Sequence, residues 1–455
     1  MIKTSRSRHL KIFLIIFAAV LLLAISIFLA ISFKSGPDKD KYAPNIKWQR
    51  SLGGSAKDSA ESIQITSDGG YIIAGVSSSN DGDVTGNHGD DDYWIVKLDP
   101  DGNIEWQKSL GGSGKDYARS IRITSDGGYI IAGASSSKDG DVTENHGDND
   151  YWIVKLDPEG NIIWQKSLGG SGEDSANSIH ITSDDGYIIA GTSNSNDGDV
   201  TENHGNNDYW IVKIDSLGTI QWQKSLGGSE SDVANSIRQT SDGGYIIAGR
   251  TKSNDGDITG NHGKNDSWIV KIDSEGAIQW QKSLGGSQFD EANSIRQTSD
   301  GGYIIAGESE SYDGDVTVNH GRNDFWIVKL DSLGTIQWQK SLGGQRFDFA
   351  KSIQITSDGG YIIAGGNSSD DFDVTGNHGY DDFWIVKLDS LGNIQWQKSL
   401  GGSSGDFASS IQITSDDGYI IAGYTLSNDG DVTINHGEHD YWIVKLQNQQ
   451  NDQKP

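Results

Sequence analysis

The chain has 455 residues, and its 64 acidic residues outnumber its 36 Lys and Arg residues, which gives a net charge of −28. A surface this acidic repels nucleic acid and anionic lipid, and it favours cations or basic partners. The absence of cysteine excludes disulfides and cysteine-ligated zinc sites. Stability must therefore come from packing, or from metal ions bound through oxygen.

The N-terminus differs in composition from the rest of the chain. A basic stretch at 1–11 precedes 22 uncharged, mostly apolar residues at 12–33. About 20 such residues span the hydrocarbon core of a membrane, and a cleavable signal peptide has a shorter apolar region. We therefore predict a cytoplasmic segment at 1–11, a transmembrane signal anchor at 12–33 and a linker at 34–44, with the remainder outside the membrane. Cleavage near Ser32 is the alternative, and it would make the protein secreted.

The rest of the chain is one unit of 58 residues, written seven times between residues 45 and 446. A fixed period of this kind indicates a repeat architecture rather than several ordinary domains. The period is visible in one repeated tryptophan: Trp94, Trp152, Trp210, Trp268, Trp326, Trp384 and Trp442.

Each unit contains four strand-like runs joined by turn residues, and the short connections suit antiparallel hairpins. Four strands repeated seven times predict an all-β fold, a seven-bladed β-propeller of four-stranded antiparallel blades. The array opens with a lone strand at 45–52 and ends with a lone "YWIVKL". We therefore expect the N-terminal strand to close the ring as the outermost strand of the seventh blade, followed by a polar tail at 447–455.

Two segments of the repeat resemble known propeller families. "KLDPDGNIEW" (97–106) is similar to the tryptophan-docking segment of pyrroloquinoline-quinone-type propellers, and "DGGYIIAGVSSS" (68–79) resembles the bacterial surface β-propeller repeat. The resemblance implies a bacterial or archaeal cell-surface propeller. It does not imply quinoprotein catalysis, since those dehydrogenases have eight blades, and many have a vicinal disulfide that this chain lacks.

The order of strands also predicts which loops share a face. With "SIQIT" innermost and "WQKSL" outermost, the long loops (78–91 in the first unit) lie on the same face as the 52–60 loops. Long loops on a rigid ring commonly carry function. We therefore expect the functional site on this loop face.

Paired aspartates recur in the long loops and admit two interpretations. Packed carboxylates suit Ca²⁺, which takes six to eight oxygen ligands. Aspartate, asparagine and glycine are also ordinary turn formers, and the spacing matches no EF-hand. The candidate calcium ligands are Asp81, Asp83, Asp139, Asp141, Asp197, Asp199, Asp255, Asp257, Asp313, Asp315, Asp429 and Asp431. The sixth unit departs from the pattern, with Asp371-Phe372-Asp373.

Three other repeated residues are interpreted as structural. We expect the histidine of each Asn-His-Gly triplet, such as His88, to bond an aspartate such as Asp92 and so fix the loop. Lys97 and its copies lie in a strand that should be buried, where a charged group needs a partner. We expect these lysines to bridge to Asp58 and its copies across neighbouring blades.

The units differ at few positions, and two of these suggest ligand contacts. Side chains at the centre of the innermost strand would form a cationic spot in the axial channel: Arg122, His180, Arg238 and Arg296. Aromatic residues at loop tips can anchor a partner, and the candidates are Tyr117, Phe289, Phe347, Phe349 and Phe407.

These observations favour a non-catalytic binding or scaffold module, a monomer, that engages a protein or a glycan at its loop face. A structural or adhesion component of the cell surface, stabilised by Ca²⁺, is the alternative. An enzyme acting in the axial channel is a third possibility. Catalysis needs unlike groups that converge on one point, whereas near-identical units spread like groups around a ring.

Overall fold

The computed structural model describes residues 43–448, which form seven four-stranded antiparallel sheets arranged as the blades of a propeller. The predicted all-β class, blade number and blade composition are confirmed. The predicted segments at 1–11 and 12–33, most of the linker and most of the tail lie outside the described residues. Within 43–448, no helix is long and apolar enough to cross a membrane.

Blades 1 to 6 each contain four consecutive strands, and blade 7 combines the last three strands with the first. Blades 1 to 3 contain β2–β5 (Asp58–Ile65, Tyr71–Ser77, Asp92–Leu98, Ile104–Leu110), β6–β9 (Asp116–Ile123, Tyr129–Ser135, Asp150–Leu156, Ile162–Leu168) and β10–β13 (Asp174–Ile181, Tyr187–Ser193, Asp208–Ile214, Ile220–Leu226). Blades 4 to 6 contain β14–β17 (Asp232–Gln239, Tyr245–Thr251, Asp266–Ile272, Ile278–Leu284), β18–β21 (Asp290–Gln297, Tyr303–Ser309, Asp324–Leu330, Ile336–Leu342) and β22–β25 (Asp348–Ile355, Tyr361–Asn367, Asp382–Leu388, Ile394–Leu400). Blade 7 contains β26–β28 (Asp406–Ile413, Tyr419–Thr425, Asp440–Gln447) and β1 (Asn45–Leu52).

The two central strands of each blade are apolar on successive residues because both of their faces are covered by neighbouring blades. In blade 1, every residue of β4 (Asp92–Leu98) is buried, whereas the outer strand β5 is largely accessible. In the tight turn between β2 and β3, Gly69 has a φ of 83°, in the left-handed region that favours glycine, and Asp185 and Asp417 adopt positive φ at the same position in blades 3 and 7. In blade 7, β1 runs antiparallel to β28, so residues from the two ends of the propeller share one sheet.

Adjacent blades are joined by a repeated aromatic contact. The ring of Tyr93 in blade 1 lies 4.5 Å from that of Trp152 in blade 2, and the tyrosine hydroxyl donates to the Trp152 carbonyl oxygen at 2.8 Å. Tyr441 of blade 7 makes the same contact with Trp94 of blade 1. Blade 4 has Ser267 at this position. The ring is therefore held by a large apolar contact and one buried hydrogen bond at most blade interfaces.

The expected bridge between Lys97 and an Asp58-type carboxylate is wrong. Lys97 Nζ instead donates to Asp68 Oδ2 at 2.9 Å and to Glu105 Oε2 at 3.0 Å, both in its own blade. Asp58 begins its strand at the loop face, whereas Lys97 lies near the opposite face beside the 66–70 turn. The buried lysine is therefore neutralised by carboxylates of its own blade.

Substitutions at Tyr151, whose hydroxyl donates to Trp210 at 2.8 Å, should separate the two parts of the interblade contact. Tyr151→Phe removes only the hydrogen bond and should cost about 1 kcal/mol of unfolding free energy. Tyr151→Ser, which copies blade 4, also removes the ring and should cost about 3–5 kcal/mol. Urea unfolding measures both. Equal losses from the two variants would contradict the dominance of ring packing.

Candidate binding face

The long loop of each blade folds back onto the glycine-rich loop that precedes the blade's innermost strand. In blade 1, Asp81 Oδ1 accepts from the Ser55 amide at 2.7 Å, and Asp83 Oδ2 accepts from the Gly53 amide at 3.3 Å. The Asp83 amide in turn donates to the Gly53 carbonyl at 2.9 Å. The two sets of loops thus share one face, as the sequence predicted, and we call this the loop face.

A buried carboxylate at the start of each innermost strand accepts hydrogen bonds from these loops. Asp58 Oδ2 accepts from the Gly54 amide at 2.8 Å and from the Ser79 hydroxyl at 2.9 Å. Burial raises the pKa of Asp58 to about 6, against these hydrogen bonds, and raises that of its copy Asp348 to about 7. Within residues 43–448, the Asp58-type residues therefore support the loops and have no lysine partner.

The histidine of each Asn-His-Gly triplet fixes the end of the long loop, as expected. His88 Nδ1 lies 2.8 Å from Asp92 Oδ2, and the His88 amide donates to the same oxygen at 2.8 Å. Asn87 also donates to the Ser77 carbonyl at 3.1 Å. The same histidine–aspartate pair occurs in all seven blades. These histidines are thus engaged singly, one in each loop.

The candidate calcium ligands are engaged by backbone amides. Copies of the Asp81 contact occur at 2.7–2.8 Å in five further blades, and Asp371 makes it at 2.9 Å in blade 6. Across residues 43–448, no group of three or more His, Asp or Glu side chains is placed to hold a metal ion. This arrangement fits the turn interpretation, and calcium binding stays a prediction.

The axial channel contains three of the four predicted side chains. Arg122, Arg238 and Arg296 line a central cavity, together with serines and asparagines of the innermost strands. His180 occupies the same strand position but is not among the lining residues. Burial, with the repulsion of the three arginines, lowers the pKa of His180 to about 2, so the imidazole is neutral. The predicted cationic spot is therefore formed by arginines alone.

The predicted aromatic anchors are not all loop tips, and this expectation needs correction. Phe347 lies in a loop and is 40% exposed. Tyr117, Phe349 and Phe407 are instead the second residues of innermost strands, and they are half-buried. Phe349 and Phe407 line the loop-face opening of the axial channel, which we call the channel mouth. Phe289 is also half-buried, with the Arg250 guanidinium 6.0 Å from its ring centroid. Strand pairing places these rings inward, where the sequence suggested exposed loops.

One aromatic stack was missed because its members come from different parts of the repeat. Phe349 stacks on Phe407 with ring centroids 5.7 Å apart, and Phe407 stacks on Tyr424 at 5.0 Å. Tyr424 then stacks on His439 at 5.1 Å. Phe407 and Tyr424 are cross-strand neighbours in the ladder of β26 and β27, a relation that becomes visible once the strands are aligned in register.

The channel mouth also contains a second variable position that the sequence interpretation overlooked. The side chains at this position are positive, negative or neutral, depending on the blade: Glu61, Arg119, Asn177, Asn235, Asn293, Lys351 and Ser409. Glu61 and Arg119 form an ion pair at 3.4 Å. Variation between the units is therefore concentrated around the mouth, where side chains leave the packed sheet.

A groove of about 760 Å³ lies on the loop face between blades 5 and 6. Arg322, Arg346 and Phe347 line one part of it, and Asp371 and His378 line another. The Arg322 guanidinium lies 5.1 Å from the centroid of the Phe347 ring. Both arginines are exposed. The groove thus combines an aromatic side chain with two accessible positive charges on an otherwise acidic protein.

A strained residue, Phe372, directly follows Asp371, which lines this groove. Phe372 has a φ of 53°, where the other six units have glycine at 63–65°. A bulky residue rarely adopts this left-handed conformation. The amide of the next residue, Asp373, reaches the Gly343 carbonyl at 3.3 Å, against 2.8–3.0 Å for the other units. The Phe372 side chain is 64% exposed, and its ring lies 5.2 Å from that of His320. Blade 6 therefore carries a solvent-exposed aromatic ring on a strained backbone.

Comparisons with known proteins give little further detail. No family model matches the chain. A regulatory protein, FlaEY, of Caulobacter vibrioides is 24% identical over 238 residues, which is 47% of this chain. The matched region spans only 24% of that relative. This likeness does not reach the identity or coverage that defines a shared family.

Solved structures with a similar arrangement have low sequence identity. Sqt1 from Chaetomium thermophilum is 12% identical with a TM-score of 0.44, covering 90% of this chain and 100% of that one. BamB from Moraxella catarrhalis is 13% identical with a TM-score of 0.40, covering 89% and 88%. A quinohemoprotein alcohol dehydrogenase from Pseudomonas putida is 10% identical with a TM-score of 0.42, covering 85% and 66%. The chain is a propeller repeat protein, and this conclusion rests on its own strand pairing.

The pH dependence of stability should follow the buried carboxylates. The raised pKa values of Asp58 and Asp348 mean that the folded state binds more protons than the unfolded state between pH 3.8 and about 6–7. Their contribution to stability is therefore lost as pH rises through this window. Below this pH window, stability should instead fall as pH falls, because carboxylates such as Asp68 become protonated. Although burial acts to raise the pKa of Asp68, hydrogen bonds from Thr66, Gly70 and Lys97 lower it to about 2.

We therefore expect residues 43–455 to have a higher free energy of unfolding near pH 4–5 than at pH 7.5. Urea titrations across this range measure it. A stability that rises steadily between pH 4 and 7 would contradict the assignment of these buried carboxylates.

Calcium dependence is tested by thermal unfolding with Ca²⁺ or Mg²⁺ at equal ionic strength. Because backbone amides already engage the Asp81-type carboxylates, we expect the two cations to have equal effects. A saturable rise with Ca²⁺ alone would instead show metal sites in the folded state, since a ligand that binds only the native protein stabilises it.

Proposed function

We propose that this chain is a non-catalytic binding module that engages a partner protein at the groove between blades 5 and 6. The observation that carries this proposal is the exposed aromatic ring of Phe372, held in a strained backbone conformation next to Asp371, which lines the same groove as Arg322, Arg346 and Phe347. Aromatic residues and arginine are enriched at the energetic centres of protein interfaces. Strain that the remaining units avoid with glycine is also more common at functional sites.

The asymmetry of the loop face supports the same location. Exposed large apolar residues of this face are concentrated in blades 5 to 7: Tyr312, Val318, Phe347, Phe372, Tyr380, Leu426 and Ile434. The corresponding loops of blades 1 to 4 have polar or small residues at these positions. Exposed apolar residues gathered on one side of a face are typical of an interaction surface. A partner with apolar and acidic side chains would complement the arginines.

We further propose that residues 12–33 anchor the module in the membrane, with the propeller outside and its ring closed by the pairing of β1 and β28. The length and apolar composition of 12–33 and the positive charges before it support this placement. A glycan in place of a protein is the alternative partner, and the half-buried stack of Phe349, Phe407 and Tyr424 is the feature that would favour it.

Phe372→Gly tests the proposal because it should change stability and binding in opposite directions. Glycine removes the left-handed strain and should raise the unfolding free energy by about 1 kcal/mol, while partner binding is lost. Proximity labelling in the source cell, followed by calorimetry with the purified partner, measures binding. Leu391→Gln is the matched control, since Leu391 is 68% exposed in a turn on the opposite face of the same blade.

A protein partner that binds wild type and Leu391→Gln, and fails to bind Phe372→Gly and Arg322→Gln, would support the proposal. Equal binding by all four forms would place the partner elsewhere. Binding of oligosaccharides that depends on Phe407, with no protein partner dependent on Phe372, would favour the glycan alternative.

A further inference from the structure

The axial cavity, of about 90 Å³, has a wholly polar lining contributed by the innermost strands of all seven blades. A ring of serines lies between the channel mouth and the part of the cavity that contains the arginines. The Ser62 hydroxyl accepts the Ile121 amide of the next blade at 3.3 Å, and copies of this bond recur around the ring. Beyond the serines, Arg122, Arg238 and Arg296 project into the same space as Gln64 and Gln412. The cavity has room for several waters or one small ion.

The three arginines lack a negative counterpart. Arg122 donates to the carbonyl of Ile121 at 2.7 Å, and Arg238 donates to that of Ile237 at 2.6 Å. Arg296 donates to the Ile295 carbonyl at 2.9 Å and to the Gln354 side chain at 3.3 Å. Remaining contacts with serine hydroxyls are long, at 3.4–3.5 Å. Within residues 43–448, the partners of these guanidiniums are neutral oxygens, and most of their five N–H donors are left over.

The three charges also act on one another. Burial lowers the pKa of Arg122 to about 10, and burial followed by repulsion from Arg122 lowers that of Arg296 to about 9. Burial, then repulsion from Arg296 and Arg122, lowers the pKa of Arg238 well below its usual value. Like charges held together at a cost need a reason. The fold does not impose them, because three of the seven units have glutamine at this position: Gln64, Gln354 and Gln412.

We propose that the axial cavity is an oxyanion site in which Arg122, Arg238 and Arg296 bind a doubly charged tetrahedral anion of the phosphate type. Guanidinium groups match the geometry of phosphate oxygens, and three of them neutralise its charge with donors to spare. The buried His180 Nδ1 has no hydrogen-bond partner among the described residues and lies close enough to the arginines to feel their charge.

The anion would enter from the loop face. Five residues line both the axial cavity and the channel mouth: Asn177, Asn235, Asn293, Lys351 and Ser409. The two spaces are therefore continuous, and Lys351, which pairs with Glu308 at 3.8 Å, lies between them. The carboxylate of Glu61 is already paired with Arg119 at 3.4 Å. A phosphate group could thus arrive free or as the end of a larger ligand held at the mouth.

The test measures thermal unfolding and titration calorimetry in the presence of inorganic phosphate. The same measurements in chloride at equal ionic strength are the comparison. We expect a saturable rise in melting temperature with phosphate, and a smaller rise with singly charged acetate. No difference between phosphate and chloride would overturn the proposal.

The variant R122Q/R238Q/R296Q gives every blade but one the glutamine that blades 1, 6 and 7 already have, so the substitutions suit the fold. Because mutual repulsion is removed, this variant should melt above wild type in chloride and lose its response to phosphate. Lys138→Gln, which removes an exposed positive charge from a distant loop, should keep the response. A full response in the triple variant would place phosphate elsewhere and overturn the proposal.

Phenyl phosphate distinguishes the two sources of the anion. Binding at least as tight as that of inorganic phosphate, and dependent on the three arginines, would assign the site to the phosphate group of a larger ligand. Binding of inorganic phosphate alone would assign it to the free ion. Since this site is separate from the groove at Phe372, Phe372→Gly should leave phosphate binding unchanged.

Discussion

Every blade of this protein must bury both of its faces against two neighbours, and this constraint governs almost every residue of the repeat. Trp94 and its copies are buried in all seven blades. They pack on an aromatic residue of the preceding blade in six of them. The lysines inside the sheets and at least one carboxylate oxygen of each buried aspartate follow the same constraint, since they bond to a nearby turn or loop, as Lys97, Asp58 and Asp92 show. Differences between near-identical units at the mouth, at the axial position and in the loops lie outside these packing contacts, so they mark candidate sites.

The fold could be predicted because its signals are periodic and local. The 58-residue period, the Ser-Asp-Gly-Gly turns and the uninterrupted apolar strands together specify four antiparallel strands in each of seven blades. Histidine and aspartate four residues apart in one loop also form the expected pair. These predictions held because the groups concerned lie within one unit, where sequence spacing fixes distance.

The candidate sites were less predictable because they depend on neighbours that are distant in sequence. The expected aspartate partner of Lys97 is wrong, since the repeat period alone does not specify which end of a strand lies beside which turn. The sequence predicts loop positions for Tyr117, Phe349 and Phe407, whereas the strand pairing of the structure places them on innermost strands. The groove at Phe372 combines side chains from two blades, and its strain is evident only from backbone geometry, although the missing glycine of the sixth unit was visible in the sequence.

A ring of seven equal units offers seven equivalent sites on its loop face, so a single distinct site on that face requires that the symmetry be broken. This chain breaks symmetry in two independent ways. The apolar loop residues are gathered on blades 5 to 7, whereas the axial arginines come from blades 2, 4 and 5. Both departures oppose stability, one through a left-handed phenylalanine and the other through uncompensated charge. Drift after duplication would more readily accumulate changes that cost the fold nothing, so the energetic cost itself argues that these positions are used.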